Sequence, residues 1–153
     1  MEVVIALRLP RDAASVPMIR QMLNAALGVI GVDPQTRDDI QLMLAEACSN
    51  VIRHADQGVE YAVAAEVSED HCVLRVADDG RGLPADAFTP ADGLAETGRG
   101  LQIMRALSDV MRVSNRPERG VSVFLEKTLH LAPDAPGRRL QTVSLNGAHG
   151  SAA

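Results

Sequence analysis

Leu42-Met43-Leu44-Ala45-Glu46-Ala47-Cys48-Ser49-Asn50-Val51-Ile52-Arg53-His54-Ala55 sets apolar residues at helical spacing and leaves two polar side chains at the edge of the stripe. Ile40, Met43, Leu44, Ala47, Val51 and Ala55 form that stripe. Glu46 and Asn50 are four apart, so they lie about 40° from one another and flank it. A residue in that position borders the core without being sealed inside it, which is where a cleft can form. The helix starts at Asp33-Pro34, a cap followed by a proline that needs no amide partner in the first turn.

Before it, Val3 to Leu9 alternates and reads as a strand. Ser15 is placed to cap a helix carrying Val16, Ile19, Met22, Leu23, Ala26, Leu27 and Ile30, with Gly31 as its stop. After it, strands are expected near 60–68 and 71–77, turning at Ser68-Glu69-Asp70-His71. Residues 78–99 have no clear period and read as a long loop. Helical spacing resumes from Gly100 to about Met111, and a last pair of strands is expected at 110–115 and 121–129. This order predicts an α+β fold, a two-layer α/β sandwich with a mixed, mostly antiparallel sheet and all helices on one face. One domain is expected over 1–132, with 133–153, rich in Pro, Gly, Ala and Ser, as a flexible tail.

Composition narrows the function. The chain has 153 residues and a formal net charge of −5, which argues against broad attraction to nucleic acid or anionic membranes. Hydrophobic residues make up 46% of it, yet Tyr61, Phe88 and Phe124 are its only aromatics, so the core must be aliphatic. Cys48 and Cys72 sit apart in apolar runs and read as two buried, reduced thiols. Neither a signal peptide nor a membrane-spanning run of about 20 apolar residues is visible, so a soluble, cytoplasmic protein is expected.

Three short pieces carry chemistry. On the 42–55 helix, the Glu46 carboxylate can take a proton or order a water, and the Asn50 amide oxygen is a hard ligand suited to Mg²⁺. Alone, the pair reads as a solvated Glu beside a helix-surface Asn. Asp78 ends an apolar strand and leads into Asp79-Gly80-Arg81-Gly82. An Asp fixed there can accept from an exocyclic amine such as that of adenine, and glycine permits close backbone approach to a ligand. An ordinary polar turn has the same composition. Gly98-Arg99-Gly100 precedes the next helix, whose exposed amides attract phosphate; the spacing fits neither a P-loop nor a Rossmann unit.

Taken together, in this order, the three pieces resemble the nucleotide-binding boxes of the GHKL ATPases, which share the Bergerat fold. Glu46-x-x-x-Asn50, running on to His54-Ala55, looks like the N box, Asp78-x-Gly80-x-Gly82 like the first glycine box, and Gly98-x-Gly100-Leu101 like the second. Gly120-Val121-Ser122-Val123 is similar to the closing Gly-Thr-x-Val strand, with Val121 where the family has Thr and Ser122 one place on. Within the superfamily the chain looks like the anti-sigma factor serine/threonine kinases. That resemblance implies a homodimer that binds a sigma factor and uses Mg²⁺ and ATP to phosphorylate a small anti-anti-sigma antagonist of the STAS type. It makes Glu46 the general base, Asn50 the Mg²⁺ ligand and Asp78 the adenine reader. It sets Gly80 and Gly82 against the base, and Gly98, Arg99, Gly100, Leu101 and Ser122 around the nucleotide. Residues 83–97 would be its lid. The alternative is an ATP-binding module that sequesters or activates a partner without phosphoryl transfer.

Overall fold

Strand β1 (Val3–Pro10) buries alternate residues, ending with Leu9 inward, and leads into two helices, α1 (Ser15–Ile30) and α2 (Pro34–His54). The structure is a computed structural model of the chain and describes residues 1–54, 60–78, 96–115 and 121–138. The chain continues through β2 (Glu60–Val67), β3 (His71–Asp78), α3 (Glu96–Leu107), β4 (Val110–Asn115) and β5 (Val121–Thr128). The five strands form one sheet in the order β1-β2-β3-β5-β4. Every pairing in it is antiparallel, where the sequence suggested a mixed sheet. Two features of the connections explain this. The pair of helices after β1 returns the chain beside β1 running the other way. The single helix after β3 makes β4 parallel to β3, but β5 inserts between them.

The helices cover one face. Tyr61, Val63, Ala65 and Val67 of β2, Cys72, Leu74, Val76 and Asp78 of β3, and Val121, Val123 and Leu125 of β5 point towards them. They meet Ile19, Leu23 and Leu27 of α1, Ile40, Met43, Leu44, Ala47 and Val51 of α2, and Leu101 and Met104 of α3. This is the aliphatic core that the composition required, with Tyr61 as its aromatic member. Among the described residues nothing covers the other face, and there the Phe124 ring lies between the guanidinium groups of Arg75 and Arg112, each 5.4 Å from its centroid.

Local signals account for most boundaries. Asp33 Oδ2 accepts from the Thr36 amide at 3.0 Å, so α2 has the expected cap. Its carboxyl lies below the ordinary carboxylate range, chiefly because of the hydrogen bond from the Thr36 hydroxyl. Gly31 ends α1 at φ 91°, and a side chain there would also strike Ala135. Ser15 is not a cap: Ala14 occupies that position, and the Ser15 hydroxyl turns into the core. α3 ends at Leu107 rather than near Met111. Ser108 Oγ donates back to Met104 O at 2.5 Å, and Asp109 Oδ2 accepts from the Thr128 amide, which starts β4 at Val110. The stretch expected to begin a tail packs on the C-terminal end of α1: Ala135 is buried, and a Cβ on Gly137 would lie 2.8 Å from Ile30. No described helix is long and apolar enough to cross a membrane.

Candidate functional site

α2 brings its polar pair to the border of the core. Asn50 is 6% exposed, and its Nδ2 has no hydrogen-bond partner among the described residues. Burying an amide without a partner costs free energy, so such a side chain is expected where a ligand completes its shell. Glu46 stands one turn earlier, half-buried, against α3. A Cβ built on Gly100 would fall 2.8 Å from Glu46 Oε2, closer than real side chains approach. Gly100 is therefore the surface on which the carboxylate rests.

That contact yields a prediction. Gly100→Ala should leave the fold intact or raise its melting temperature slightly, because alanine favours helix by about 1 kcal/mol. The added methyl must nevertheless push the flexible end of Glu46 aside. Any reaction that needs this carboxylate should slow by about tenfold, as misplaced catalytic groups do. A melting curve and a turnover assay on the same sample check both halves.

Asp78 closes β3 on the helix-covered face and is 1% exposed. It pairs across the ladder with Tyr61, whose hydroxyl lies 2.7 Å from Ser15 Oγ. Burial pushes the Cys48 thiol up to about 12 and the Tyr61 phenol to about 12, so both stay protonated at neutral pH. The Cys72 thiol is likewise pushed up to about 12 by burial. Both cysteines are free, and neither is an activated nucleophile.

The second glycine piece is not ahead of α3 but within it. The helix begins at Glu96, so within it the amides of 96–98 lack partners from the helix itself. Gly98 can offer its amide to an anion, whereas those of Arg99 and Gly100 are already used by the helix. Leu101 is buried beneath this end. Ser122 does not join the group. It pairs with Ala77 and Ser114 on the uncovered face, while Val121 and Val123 point to the helices. Gly80, Gly82 and nearly all of the expected lid lie outside the described residues.

The arrangement is a buried carboxylate at a strand end, an amide and an acid on one helix edge, and the amide-rich start of a second helix. Residues 9–127 match the family described as the histidine kinase-like ATPase domain, and the chain belongs to that family. Among its relatives is the serine-protein kinase RsbW of Bacillus subtilis (strain 168), 31% identical over 139 residues, 82% of this chain and 86% of that protein. RsbW of Bacillus licheniformis is 30% identical over 93% of this chain and 96% of its own length. A solved structure of the RsbU and RsbW domains of Rv1364c from Mycobacterium tuberculosis superposes with a TM-score of 0.64. It matches 85% of this chain at 20% identity, a likeness of fold, and this chain spans 34% of its length.

Proposed function

We propose that the chain is a serine/threonine protein kinase and anti-sigma factor that phosphorylates a small antagonist protein. The observation that carries this reading is the Glu46 carboxylate resting on Gly100, one helical turn from buried Asn50, whose Nδ2 has no hydrogen-bond partner among the described residues. A protein that only held nucleotide would have little use for an acid fixed at that place.

Asn50 fits a divalent cation. Its amide carries a hard oxygen, and the assignment of oxygen and nitrogen in a side-chain amide follows whatever partner is present. Among the described residues no three His, Cys, Asp or Glu side chains gather into a metal site. Mg²⁺ would be held by Asn50 together with phosphate oxygens, a usual arrangement for this ion. Bound ATP would supply the γ-phosphoryl group, with the cation offsetting its charge. Asp78 would accept the adenine amine and so orient the base. The amides at the start of α3 would receive the phosphates, and Glu46 would take the proton from the incoming serine or threonine hydroxyl. With little covalent chemistry demanded of the protein, placement and electrostatics carry the rate.

The same reading makes the protein a cytoplasmic homodimer whose partners are a sigma factor and a STAS-type antagonist. Incubation with γ-labelled ATP, Mg²⁺ and candidate antagonists tests it. Label should reach a serine or threonine of an antagonist. Nucleotide binding without any transfer would instead make the protein a sequestering module.

A further inference from the structure

Val121, Val123 and Leu125 of β5 alternate towards the helices, and the next position of that parity is Lys127. A charge turned inward needs partners. Its Nζ donates to Leu107 O at 2.6 Å and lies 3.2 Å from Asp39 Oδ2. The lysine side chain is 18% exposed and that of Asp39 21%, so the pair is mostly shielded from water. Leu107 O belongs to the last residue of α3, where a helix leaves its carbonyls without partners of its own and favours positive charge. Asp39 lies early in α2, and its other oxygen accepts from Gln35 Nε2 at 3.1 Å. One ammonium, carried by a strand that is paired on both sides, thus ties the end of α3 to the early part of α2.

The spacing of this tie matches the site. Asp39 precedes Glu46 by seven residues, and Leu107 follows Gly100 by seven. At about 1.5 Å per residue each arm is roughly 10 Å long, or two helical turns. α2 and α3 therefore run antiparallel and meet in register at two levels: Glu46 on Gly100, and Asp39 with Leu107 through Lys127. Aliphatic packing such as that of Leu101 and Met104 is non-directional and does not by itself choose a register. A hydrogen bond and an ion pair at fixed points do. We propose that Lys127 is a positioning residue that sets how far α3 stands along α2, and so holds Gly100 beneath the Glu46 carboxylate. This role rests on the kinase reading given above, in which Glu46 takes the hydroxyl proton.

The test uses the intact chain and two readouts. Lys127→Met keeps an unbranched apolar stem and removes the ammonium. In transfer from Mg-ATP to the antagonist that accepts label in the assay above, it should lower kcat about tenfold, less than the hundredfold that a full ångström of misplacement can cost. KM for ATP should change by less than about threefold, since Asp78 and Asn50 stay in place. Lys127→Arg can still donate to both partners and should recover most of the rate. Cys72→Ala, at the cross-strand partner of Lys127, is the control: it should lower the melting temperature and leave kcat unchanged. The second readout needs no activity. In the nucleotide-free chain the Gly100 amide resonance should move in Lys127→Met, return in Lys127→Arg and stay in place in Cys72→Ala. Normal kcat or an unmoved Gly100 resonance in Lys127→Met overturns the proposal. So does a rate loss that Cys72→Ala shares or that Lys127→Arg fails to relieve. If the resonances respond as expected while the unaltered chain labels no antagonist, it is the kinase reading that falls.

Discussion

Replacing Glu46 with glutamine is expected to cut phosphoryl transfer by about two to four orders of magnitude, the range a positioned general base supplies. Nucleotide affinity should change by no more than about threefold. Glutamine keeps the length and shape of the side chain, so it can lie on Gly100 as the carboxylate does. What it loses is the ability to take a proton. Single-turnover transfer to the antagonist, followed beside equilibrium binding, separates the two effects. Transfer at the normal rate would remove Glu46 from the chemistry. Lost binding would make it a structural prop for α3.

The second large effect concerns Asp78. Its carboxylate is 1% exposed and ends β3 facing the helices, so water cannot replace a lost partner. Asp78→Asn keeps the volume but exchanges one acceptor oxygen for a donor and removes the charge. Facing an exocyclic amine, that leaves donor against donor, at a cost of about 2–3 kcal/mol for a buried, charge-assisted hydrogen bond. ATP affinity should fall by about 30- to 100-fold. Discrimination against GTP should fall too, because an amide nitrogen can donate where guanine offers an oxygen. Competition between the two nucleotides measures both. A variant with unchanged affinity and selectivity would mean that Asp78 does not read the base.

Much of this was legible before any coordinates. The spacing of Met43, Leu44, Ala47 and Val51 placed Glu46 and Asn50 on a core border; Glu46 is half-buried there, while Asn50 is drawn further in and buried. Asp33-Pro34 and Gly31 marked helix ends through their own backbone chemistry. Where reading and structure part, two local preferences competed. Leu107, Val110 and Met111 fit helical spacing as well as strand, and only the bond from Ser108 and the pairing of Asp109 with Thr128 end the helix. Ser15 looked like a cap, but Tyr61, distant in sequence, offered its hydroxyl a buried partner. Ser122 is the plainest lesson. Val121, Val123 and Leu125 alternate inward, and that parity put Ser122 on the far face whatever the motif suggested.

A co-crystal of the intact chain with Mg²⁺ and a non-hydrolysable ATP analogue tests the shared site most directly. The adenine amine should lie within hydrogen-bonding distance of the Asp78 carboxylate, with the metal on the Asn50 side-chain oxygen and the phosphates at the start of α3. Nucleotide density remote from Asp78 and Asn50, or a metal held entirely by other groups, would contradict it.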